Sequence, residues 1–136
     1  MDNLRSYAAP LGRLLLSSLF IWAGYNKLFG FGPAGTAGYF ANNGVPLPEL
    51  GAWIAIIVEL VGGIMILIGL QARWVALALA IWCLITGFGW HLPAGKMHDM
   101  ISFYKNLSMA GGFLYIFAYG AGALSLDRAM GTEKAA

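Results

Sequence analysis

Glu59 stands in the middle of an apolar run, Leu50 to Leu70. A charge at mid-span costs at least ~2.5–3.5 kcal/mol on insertion scales, so an acid in such a place needs a reason. About nine residues from Leu50, at 1.5 Å each, put it roughly 13 Å below that end of the run. Other polar groups gather at the same level. Asn26 and Lys27 close one apolar stretch, Lys105 and Asn106 open another, and His91 ends a third. A carboxylate at that depth must find a cation or take up a proton. Lys27 and Lys105 both have stems flexible enough to bend inward toward it. Such a cluster has two readings. It can be a Glu–Lys pair that fixes helix register. It can also be a pocket for a small, hydrophobic or anionic ligand, in which the acid carries protons and the cations stabilise a reduced ring or a sulfur oxyanion. Gly62-Gly63 beside Glu59, and Gly111-Gly112 in the last stretch, leave notches where a helix or a ligand comes close.

Other chemistry has less to stand on. His91, His98 and Asp99 do not fall on adjacent helical turns in a ligand pattern, so no tightly bound metal is expected. Cys83 is the single cysteine, which excludes an internal disulfide and a dithiol relay within the chain. It reads as a small hydrophobe. There is no serine–histidine–acid pattern and no motif for a bound flavin, and catalytic residues stay unassigned.

These residues need a membrane-like scaffold. Of 136 residues, 60% are hydrophobic and only 10% charged, against about half and a quarter in soluble domains. Mean hydropathy is +0.72. Disorder is excluded by the apolar excess, and a net charge of +2 from scattered Lys and Arg excludes a nucleic-acid binder. Residues 1–136 read as one all-α integral membrane domain, a four-helix bundle with spans at about 11–29, 50–70, 74–90 and 106–124. Gln71-Ala72-Arg73 forces a tight hairpin between the second and third. The two other links carry short interfacial helices, one over Thr36–Asn42 and one leading in after a turn at Pro93–Gly95. Arg5, Arg13, Arg73, Arg128 and Lys134 share one side and outnumber Lys96, with Lys27 and Lys105, on the other. The positive-inside rule then makes both termini cytoplasmic. Arg13 reads as an anchor at that edge. Tyr39, Trp53, Trp90 and Tyr104 read as the outer aromatic belt and Trp74 as the inner one.

The runs GRLLLSSLFIWAGYNKL, NNGVPLPEL, IAIIVELVGGIMILIGLQARWVALAL, KNLSMAGGFL and GALSLD resemble the DoxX family of small bacterial membrane proteins. The resemblance extends from about Gly12 to Asp127. It implies a four-span protein of the bacterial cytoplasmic (inner) membrane, in a family whose name derives from a subunit associated with thiosulfate:quinone oxidoreductase. Relatives are linked to membrane redox complexes and sulfur metabolism. Some carry cysteine pairs, which this chain lacks. On this reading the chain is a quinone- or small-molecule-binding subunit, with Glu59, Lys27, Asn26, Lys105, Asn106 and His91 as ligand-binding residues and a redox protein as partner. The alternatives are a non-enzymatic scaffold or assembly partner of a redox complex and, third, a small transporter or channel. Small-residue faces on the helices leave room for a homodimer.

Overall fold

A computed structural model describes residues 2–133 of the chain. Lys134, counted above in the charge bias, lies outside the described residues. The described residues form helices joined by short links, with no strand among them: α1 (Asn3–Gly30), α2 (Gly32–Asn42), α3 (Pro48–Ile68), α4 (Ala72–Ala94), α5 (Met97–Tyr119) and a single-turn α6 (Leu126–Ala129). It is an all-α membrane bundle of four long helices.

At 21 and 23 residues, α3 and α4 are each long and apolar enough to cross a membrane. α1 meets the same test together with α2, which turns away from it by 103°. The bend falls at Gly32, whose φ of +75° favours a residue without a Cβ. The second lead-in takes a different form from the first. After Gly95 (φ +70°) the chain enters α5 at Met97 and continues unbroken to Tyr119, so the lead-in is the first turns of the fourth long helix. α5 stops where Gly120 takes φ +86°.

Neighbouring helices run antiparallel, and glycines set how closely they approach. A Cβ on Gly24 of α1 would lie 2.6 Å from the backbone nitrogen of Leu60, and one on Gly63 of α3 would lie 2.9 Å from Ile21. The notch at Gly62-Gly63 is therefore filled by α1 and by Leu79 of α4. Gly112 packs on Leu16, while Gly111 has nothing within 4 Å. Between the helices lies a core of Phe20, Ile66, Leu79, Ala80, Cys83 and Phe113 with smaller neighbours. Phe20 and Phe113 meet edge to face at 5.4 Å.

The end of the bundle that holds the N-terminal part of α1 is closed by polar bonds the sequence did not announce. Arg13 is not a surface anchor: it is 3% exposed. Its guanidinium donates to the carbonyls of Ile66 (3.2 Å), Leu67 (2.7 Å) and Leu124, taking up the unpaired end of α3 and a loop after α5. Asp127 does the converse for α4. Its carboxylate accepts from the backbone N–H groups of Gln71 (2.7 Å) and Ala72 (2.9 Å). That places a negative charge at a helix N-terminus, where the helix dipole favours it. The tail thus ties α1, α3, α4 and α5 together.

Candidate functional site

At the opposite end, three of the long helices change their winding. π-helical turns interrupt α1 at Asn26–Gly30, α3 at Ile57–Val61 and α4 at Gly87–His91. Such turns are rare and concentrate at functional sites, because the extra residue re-aims the side chains that follow. Here they carry Lys27, Glu59 and His91.

Lys27 Nζ donates to Glu59 Oε2 at 2.7 Å, linking α1 to α3. The other carboxylate oxygen, Oε1, accepts from the indole N–H of Trp82 on α4 at 3.3 Å. Glu59 is thus held from two helices, with its side chain 12% exposed. The exposed face opens on a cavity of about 540 Å³. Its polar lining includes Lys27, Glu59, Trp82, Thr86, His91 and Asn106, with Asn43 at the end of α2. The remaining walls are mostly apolar, from Phe20, Ala55, Cys83 and Met109 among others. Asn106 of α5 donates to Thr86 Oγ1 (2.8 Å) and to the Cys83 carbonyl (3.1 Å), fixing the amide at the cavity edge. Tyr39 and Phe40 of α2 pack on Trp90 of α4, each pair with ring centroids 5.8 Å apart, and all three line the cavity. The 103° bend after α1 is what brings α2 there.

Four of the six residues singled out from sequence therefore meet: Lys27, Glu59, His91 and Asn106. Two do not. Asn26 returns its side-chain amide to the Trp22 carbonyl of its own helix at 2.8 Å. Lys105 is exposed and is not part of the cavity wall. Consecutive helical residues point about 100° apart, so with Asn106 turned inward its neighbour turns out. Trp82 and Thr86 went unremarked in the sequence, although their spacing of four puts them on one face of α4. Tyr39 and Trp90, read there as belt residues, roof the cavity.

A second hollow of about 810 Å³ lies between α2 and the start of α3. It is lined by small residues with Trp53, and Glu49 is its one ionisable group. It lacks the converging polar groups that orient a ligand. Among the described residues no three His, Cys, Asp or Glu side chains stand close enough to hold a metal ion. Cys83, 1% exposed, has no partner thiol in the chain.

The chain is similar in sequence to known proteins. The DoxX family profile matches residues 8–92. Inner membrane protein YqjF of Escherichia coli (strain K12) is 37% identical over 131 residues, covering 94% of this chain and 95% of that protein. Inner membrane protein YphA of the same organism is 36% identical over 123 residues, covering 87% and 86%. No solved structure matches significantly.

Proposed function

The chain belongs to the DoxX family, and from that premise we propose that it is a quinone- or small-molecule-binding subunit of a redox system in the bacterial cytoplasmic membrane. The observation that carries this reading is the Lys27–Glu59–Trp82 cluster on the wall of an otherwise apolar cavity. A volume of about 540 Å³ falls within the range of small-molecule sites, and apolar walls with a few fixed polar groups are their usual make-up. A quinone head group suits that lining: its ring is apolar, and its oxygens accept hydrogen bonds. Bound there, it would supply a couple that takes two electrons and two protons, the electrons coming from a partner protein with its own redox centre.

The residues of the chain have separable parts to play. Lys27 offers ammonium N–H groups to an oxygen that gains negative charge, from a mostly apolar wall that orients the donor toward it. Trp82 offers an indole N–H. Glu59 holds or releases a proton at Oε1 or Oε2, and Lys27 keeps it within reach of the cavity. The aromatic roof of Tyr39, Phe40 and Trp90 limits exchange with water on the α2 side.

In this reading both termini face the cytoplasm, the four long helices all cross the bilayer, and the cavity lies toward the outer surface. The test is to purify the protein from membranes in mild detergent, extract it with organic solvent and separate the quinones chromatographically. Quinone at near-equimolar amount in the wild type, and its loss from a folded Lys27→Met/Glu59→Leu variant, supports the proposal. Equal trace amounts in both support the scaffold alternative, in which the pair only fixes helix register.

A further inference from the structure

Beside the cavity stands a chain of titratable groups that leads to the surface. His91 lines the cavity, and its Nδ1 is buried without a hydrogen-bond partner. Its nearest ionic neighbour is Asp99 Oδ1 at 3.6 Å. The other carboxylate oxygen, Oδ2, faces His98 Nε2 at 3.3 Å. Side-chain exposure falls from 76% at His98 to 13% at Asp99 and is 25% at His91, on the cavity wall. The three groups therefore run from water, through a shielded acid, to the site.

We propose that His98, Asp99 and His91 form a proton path between the aqueous surface and the Glu59 cavity. The proposal deepens the reading of that cavity as a site of proton-coupled chemistry, but the path itself requires no particular ligand. In the inward direction, a protonated His98 gives its Nε2 proton to Asp99 Oδ2 and regains one from water. The Asp99 carboxyl then turns to bring that proton to the His91 side and passes it to His91 Nδ1. The resulting imidazolium releases its Nε2 proton toward the cavity, and exchange or a ring flip restores the starting tautomer. One proton crosses, no heavy-atom bond changes and no electron moves. The 3.6 Å gap is slightly longer than a hydrogen bond, so His91 and Asp99 must close by a few tenths of an ångström at the moment of transfer. From His91 the proton reaches Glu59 across the cavity, which is large and polar enough on that side to admit water.

The location of the acid favours this use. Asp99 lies in the first turn of α5, with one carboxylate oxygen toward each histidine. Besides His91, the ionisable groups on the cavity wall are Lys27 from α1, Tyr39 from α2, Glu59 from α3 and Cys83 from α4. The π turn at Gly87–His91 is what sets the His91 ring between the cavity and α5.

The experiment reads the protonation of Glu59 directly. Purified protein in lipid nanodiscs receives a pH jump from a caged proton, and time-resolved infrared follows the carbonyl stretch of the protonated acid, assigned by its loss in Glu59→Gln. The expected result is protonation slowed by about tenfold or more in Asp99→Asn and in His91→Gln, with the final amplitude unchanged. Asp99→Glu should restore much of the rate. Two variants at different positions guard against one that fails to fold. Slowing by about fivefold or more in either folded variant supports the path, and rates closer to wild type in every folded variant overturn it. Failure to find a bound quinone would leave this kinetic result standing, and the reverse also holds, so the two proposals fall separately.

Discussion

Glu59 is held by two donors of unequal importance. Lys27 is a charge at 2.7 Å, whereas Trp82 is a neutral N–H at 3.3 Å. Removing the lysine leaves a carboxylate on an apolar wall with the indole as its remaining bond. Lys27→Met should therefore destabilise the protein by about 1–3 kcal/mol, the usual penalty for an unsatisfied buried polar group. The fully buried value of about 3–5 kcal/mol does not apply where a cavity admits water. Lys27→Met/Glu59→Leu should recover most of that loss, because an apolar pair replaces the ions. Lys105→Met should leave the melting temperature unchanged, since the side chain is exposed. Thermal unfolding in detergent compares all three. The acid and one lysine were legible in the sequence because a charge in an apolar run must be paired. The choice between the lysines was not, because it depends on the helical phase of α5, and Asn106 rather than Lys105 took the inward position.

Between helices, close approach is fixed by glycine at some positions and not at others. Gly24→Ala places a methyl group 2.6 Å from the backbone of Leu60, which cannot move aside as a side-chain tip would. It should force α1 and α3 apart and lower stability by about 1–3 kcal/mol, as overpacking does. Gly111→Ala meets nothing within 4 Å and should be neutral or slightly stabilising, since alanine favours helix. The same melting assay separates them. The closing bonds at the other end are also open to test. Arg13→Met removes donors to three carbonyls and should cost about 4.5 kcal/mol or more, at 1.5–3 kcal/mol for each bond to a charged group. Ligand binding by protein that stays folded should be unchanged, because Arg13 is not part of the cavity. The helices themselves were readable from hydropathy. The π turns and the Arg13 and Asp127 bonds were not. A π turn leaves no fixed residue signature, and both bonds depend on how α1 and the tail meet the α3–α4 turn.

The bundle as a whole divides its polar groups between two ends with different tasks. At one end, Arg13 and Asp127 satisfy helix termini with charge and leave those termini little freedom. At the other, a charged pair, two amides and a histidine line a cavity under aromatic rings. A cytoplasm-specific reporter fused after the last residue should be active, and a periplasm-specific one silent, if the termini lie inside. The most direct measurement of binding at the cavity titrates the protein in nanodiscs with a short-tailed benzoquinone, reading quenching of Trp82 after the other tryptophans have been changed to phenylalanine. Saturable, equimolar quenching that disappears in the folded Lys27→Met/Glu59→Leu variant is the predicted result. Quenching of the same strength in both proteins, or a linear response without saturation in the wild type, would contradict it.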